Sequence, residues 1–73
     1  MVLKMVYKIE TEREADGRWI AEVLDLPGVM AYGDTEKEAI LTAQTLALRV
    51  LADLIEEQKE PADTLTVAVA SRP

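Results

Sequence analysis

Apolar and polar residues alternate from the start of the chain. Met1, Leu3, Met5, Tyr7 and Ile9 fall on one side of a period-two pattern; Val2, Lys4, Val6, Lys8 and Glu10 fall on the other. That period belongs to an extended chain with one buried face, so residues 1–11 are predicted as a strand whose second face is mixed. A second strand is predicted over 18–24, with Trp19, Ala21 and Val23 on one side and Ile20, Glu22 and Leu24 on the other. A short third strand is predicted over 29–32. The period then changes. Ala39, Ile40, Ala43, Leu46, Ala47, Val50, Leu51, Leu54 and Ile55 recur at three- and four-residue spacing, which predicts one amphipathic helix over 36–58. Leu41 and Leu48 fall off that stripe. Pro61-Ala62-Asp63 ends it, and 64–70 is predicted as a last strand with Leu65, Val67 and Val69 inward.

The punctuation between these segments has its own mechanics. Asp16-Gly17 in the polar stretch 12–17 is a hairpin-turn signal, so the first two strands should pair antiparallel. Asp25-Leu26-Pro27-Gly28 reads as a second turn: Pro27 fixes φ near −65° and Gly28 supplies the positive φ of a type II turn. Gly33-Asp34-Thr35 stops the third strand. Thr35 with Glu38 three residues on is a capping-box pattern, and Asp34 is the competing N-cap. Gly17, Pro27, Gly28, Gly33, Asp34, Thr35 and Glu38 are therefore assigned structural roles in turns and the cap. The expected fold is α+β in the order β-β-β-α-β: an antiparallel three-stranded meander, one long helix packed on one sheet face, and a fourth strand. Residues 1–73 form a single domain, since 73 residues suffice for one core and no more. One helix covers one face, which leaves the other, with Val2, Val6, Ile20, Leu24 and Met30, partly apolar and open to a partner.

Composition narrows the chemistry. The chain has no histidine and no cysteine. It therefore lacks the commonest general base, the usual zinc ligands and any disulfide. No catalytic residue, metal site or cofactor is assigned, and the chain is not expected to be an enzyme. A two-metal nuclease site would need carboxylates gathered around two ions. Glu10, Glu22, Asp25 and Asp34 are the candidates, and they read as solvated surface groups. The net charge is −6, with Lys and Arg scattered along the chain. Direct nucleic-acid binding, which rests on basic patches, is not expected. An acidic surface suits a basic protein partner. The short apolar start has no signal-peptide architecture, and no apolar run could span a bilayer, so a cytoplasmic location and no membrane association are expected. The small core predicts self-association as a dimer or tetramer.

Asp16-Gly17-x-Trp19-x-Ala21-Glu22, then Asp25-Leu26-Pro27-Gly28, then Gly33-Asp34-Thr35 and Glu38-Ala39, in this order and spacing, resemble the HicB-like antitoxin domain over nearly the whole chain. The resemblance implies a partly degraded ribonuclease-H-like fold and the antitoxin role of a type II toxin–antitoxin pair. It implies a small basic HicA-like partner, an mRNA-cleaving ribonuclease toxin with a double-stranded-RNA-binding-like fold, whose active surface the antitoxin covers. On that reading Asp16, Glu22 and Asp25 would meet the toxin's basic residues, with Trp19 as an apolar anchor. Leu24 stands where many members have proline. Full-length members carry a C-terminal DNA-binding domain that would begin where this chain ends, so the resemblance is to a short form. The alternative function is an orphan homo-oligomeric interaction domain with no toxin partner.

Overall fold

The computed structural model describes residues 2–71. The expectation placed on Met1 lies outside the described residues. Five elements follow in the order β1 (Val2–Arg13), β2 (Trp19–Glu22), β3 (Met30–Gly33), α1 (Glu36–Glu57) and β4 (Thr64–Ser71). The architecture is the expected α+β one: a four-stranded sheet in the order β3-β2-β1-β4 with the helix packed on it. The β1–β2 and β2–β3 pairs are antiparallel, while β4 lies parallel to β1. Strand pairs of the same direction need a long crossover, and α1 supplies it.

β1 is 12 residues long because it serves two ladders end to end. Its first part, from Val2 to Ile9, pairs with β4; its last part, from Glu10 to Arg13, pairs with β2. The two half-sheets are thus offset along one strand, and the molecule is elongated, 45 × 23 × 16 Å. This division is not visible in the alternation of β1, which has the same period throughout.

The hairpin between β1 and β2 closes over Ala15, Asp16 and Gly17. Gly17 N–H donates to the Glu14 carbonyl at 3.0 Å, Glu14 N–H donates to the Arg18 carbonyl at 2.7 Å, and Gly17 has φ +92°. This is a three-residue loop with glycine in the left-handed position that a G1 bulge requires. The second turn is a double one. Leu26 N–H donates to the Val23 carbonyl and Val29 N–H to the Leu26 carbonyl, while Val23 N–H reaches the Val29 carbonyl across the loop. Gly28 has φ +83°, as the Pro27-Gly28 type II turn demands.

Thr35, not Asp34, caps the helix: its hydroxyl accepts from Glu38 N–H at 3.1 Å. Glu38 returns a bond to the backbone N–H of Asp34 at 3.1 Å, one residue further back than in the standard box. Glu36 and Glu38 in the first turn also favour the positive end of the helix dipole. Gly33 is there for space. A Cβ at Gly33 would sit 2.6 Å from Ala39 N, inside the helix's own first turns.

The core is built of small residues where helix and sheet approach. Ala39, Ala43 and Ala47 on α1 and Ala21 and Ala31 on the sheet are buried, with Ile9, Val23, Val29 and Leu51 the largest fully buried side chains. Alanine at every fourth helix position lets the axis come close to the strands. Leu41 and Leu48 are exposed, as their position off the stripe predicts. Two residues are less covered than the pattern suggests: Leu54, on the helix stripe, is 41% exposed, and Leu65, although on the inward face opposite Leu3, is 47% exposed. Both lie toward the end of the molecule where only β1 and β4 underlie the helix. There Leu65 and Leu3 border a shallow recess of about 300 Å³ with Pro61 and with Ile55 from the last turns of the helix.

Substitutions at the helix start test this account. Gly33→Ala is expected to cost about 1–3 kcal/mol, because backbone rather than a flexible side chain must yield. Thr35→Ala is expected to cost about 1 kcal/mol through the lost cap. Both show as lower denaturant midpoints with an unchanged slope.

Candidate protein-interaction site

Alternation along the strands divides the sheet's side chains cleanly. Leu3, Met5, Tyr7, Ile9, Trp19, Ala21 and Ala31 lie on the helix side and are buried or half-buried. Lys4, Lys8, Glu10, Glu12, Ile20, Glu22, Met30 and Tyr32 lie on the outer side, and register confirms the grouping: Glu10 stands opposite Glu22, Glu12 opposite Ile20, Glu22 opposite Met30, and Ile20 opposite Tyr32. No element among the described residues covers this outer side.

The four residues singled out for partner binding do not form one patch. Trp19 is half-buried and packs against the core on the helix side, so it and Glu22 point to opposite faces. Asp16 sits at the hairpin tip and Asp25 in the turn at the other end of β2, both exposed. Asp16 is moreover engaged locally. Its Oδ1 accepts from Arg18 N–H at 3.0 Å and its Oδ2 from Arg18 Nε at 2.8 Å. The backbone N–H of Arg18, and after it the guanidinium bond, hold the Asp16 carboxyl below the usual aspartate range. Arg18 in turn stacks on Tyr32, its guanidinium carbon 4.6 Å from the ring centroid. The hairpin tip is therefore a closed ion pair resting on an aromatic ring.

A different acidic grouping emerges along the last part of β1. Among the described residues the β1–β4 ladder runs to the pair Ile9–Ser71, and an open recess of about 790 Å³ lies beside it. Glu10, Glu12, Glu14, Glu22 and Glu36 line it together with Ile40 and Ser71. Glu36 Oε2 accepts from Thr11 Oγ1 at 2.7 Å, tying the helix start to β1. Glu10 and Glu22 are directly opposed across the β1–β2 ladder, a like-charge arrangement that costs some stability. Among the described residues no three Asp or Glu side chains are placed to share a metal ion. Asp25 and Asp34, the other carboxylates considered for a two-metal site, do not line this recess. Alternation in β1 could have shown that Glu10 and Glu12 share a face. Glu14 and Glu36 could not have been found, because they join the recess only through the hairpin bend and the crossover of α1.

Compared with protein-family models, with curated proteins and with solved structures, the chain matches none. No helix of the described residues is long and apolar enough to cross a membrane.

The Asp16 pair generates a pH prediction. A carboxyl held low in the folded protein takes up its proton more readily when unfolded, so folding is favoured above the ordinary aspartate range. That contribution is lost as pH falls through the lowered value. The Asp16 side-chain carboxyl resonance should titrate below the usual range, and Arg18→Ala should move the midpoint up toward it. A titration at the ordinary value in both proteins would mean the pair does not persist in solution.

Proposed function

We propose that this chain is an antitoxin-like protein that acts in the cytoplasm by binding and inhibiting a small basic mRNA-cleaving ribonuclease. Its motif order resembles the HicB-like domain, and the single observation that favours the reading is the gathering of Glu10, Glu12, Glu14, Glu22 and Glu36 around one open recess. A ribonuclease holds its substrate through Lys and Arg that neutralise phosphates. A surface with clustered carboxylates competes for the same cations, and the net charge of −6 steers a basic partner toward it. Asp25 at the neighbouring turn extends the acidic surface; Asp16, closed by Arg18, contributes less, and Trp19 acts through the fold rather than as an exposed anchor. Inhibition needs no bond-making by this chain. It follows from steric cover of the partner's RNA-binding surface, without direct contact to nucleic acid.

A second reading, a homo-oligomeric domain with no ribonuclease partner, is favoured by the uncovered outer side of the sheet.

The test pairs the purified chain with the basic, histidine-containing product of an adjoining reading frame. Wild type should suppress its RNA cleavage. Glu22→Lys with Asp25→Lys should slow association roughly tenfold at low salt, the difference shrinking toward about 0.5 M salt as screening grows. Binding indifferent to both salt and the double reversal would remove the electrostatic reading. Absence of such a partner would favour the homo-oligomer.

A further inference from the structure

The outer side of the sheet is not uniformly acidic. Along β1 its charges are segregated: Lys4 and Lys8 lie in the first part, which is paired to β4, and Glu10 and Glu12 in the last part, which is paired to β2. Glu22 joins the acidic half from across the ladder. β4 adds no charge, since its outward residues are Thr64, Thr66, Ala68 and Ala70. At the hairpin tip Arg18 and Asp16 cancel each other at 2.8 Å. One end of this face is thus basic and the middle acidic.

The same face exposes large apolar side chains. Val2 and Val6, in the basic half, are 68% and 65% exposed, and Met30 and Tyr32 in the acidic half are also exposed. Apolar side chains on a sheet face gain by being removed from water. A uniformly basic partner would meet the acidic half and be repelled by Lys4 and Lys8. A uniformly acidic one would fail at the other half. The surface that fits both halves at once is the same face turned end for end, and a two-fold axis supplies that.

We propose that a second copy of this chain covers the outer face. A two-fold axis between the faces would set the basic half of each protomer on the acidic half of the other. Val2 and Val6 then approach Met30 and Tyr32 of the second copy, and the ion pairs fix orientation and exclude the parallel stacking that would oppose lysine to lysine. The face is self-complementary in charge, which is the condition an isologous interface must satisfy. This inference does not rest on the ribonuclease reading, but the two are linked: a basic partner that takes Glu10, Glu12 and Glu22 must displace the second copy.

Charge exchange tests it on the purified chain alone, so the outcome is independent of any ribonuclease partner. Wild type should sediment as a dimer at about 100 µM, a concentration that reveals even a weak interface. Lys4→Glu with Lys8→Glu, and separately Glu10→Lys with Glu12→Lys, should each give folded monomers by circular dichroism and sedimentation. Mixing these two variants should restore a dimer containing one of each. The fourfold exchange in one chain, which leaves the net charge unchanged, should restore the homodimer and serves if a twofold variant folds poorly. Lys37→Glu with Lys59→Glu, the same change in net charge placed off this face, should remain dimeric. A monomeric wild type overturns the proposal. So does a dimer that survives the exchange at Lys4 and Lys8, which would point to pairing through the open edge of β4, or equal dissociation by the off-face control.

Discussion

Everything distinctive about this molecule depends on one strand having to satisfy two ladders. β1 gives its first part to β4 and its last part to β2, and backbone groups must find partners wherever they are removed from water. Among the described residues each half of this strand has a ladder on only one side. The sheet is therefore stepped rather than rectangular. The step makes the molecule long for its mass, sets the recess lined by Glu10, Glu12 and Glu22 beside the last part of β1, and leaves the helix supported by fewer strands toward its C-terminal end. The exposure of Leu54 and Leu65, which periodicity alone would have buried, follows from the same step.

A second constraint acts through distance. The helix lies on the sheet through Ala39, Ala43 and Ala47, opposed by Ala21 and Ala31, and Gly33 removes the last side chain that would keep the first turn away. Close approach gives dense packing from little side-chain volume. It also commits the helix wholly to one face. No element among the described residues forms a second layer on the outer face, and its apolar side chains Val2, Val6, Met30 and Tyr32 are exposed. The charges there are segregated, with lysines at one end of β1 and glutamates at the other.

No histidine or cysteine is present to act as base or nucleophile, and the carboxylates that gather do so around an open recess in which no three share an ion. Carboxylates in such a setting steer and select partners more than they bind tightly, because exposed charges interact weakly through water. The contrast with Asp16 is instructive. There a backbone N–H and a guanidinium converge on one carboxylate, and the group is occupied in holding the hairpin tip.

The amino-acid sequence by itself determined the elements and their punctuation. Period-two alternation, the Asp16-Gly17 and Pro27-Gly28 turns and the Thr35–Glu38 cap are local matters, decided by backbone geometry and by hydrogen bonds between residues a few positions apart. It also determined which residues of each strand share a face, since alternation is a property of the extended chain. Tertiary structure alone decided which faces meet. That β4 lies parallel to β1, that Glu14 and Glu36 border the same recess as Glu10 and Glu22, and that Trp19 turns toward the helix while Glu22 turns away from it all depend on contacts between residues distant in the chain. Strand order is set by how the crossover helix packs. No period or spacing within a single segment carries that information, because the free energy that fixes it belongs to surfaces that exist only once the segments have come together.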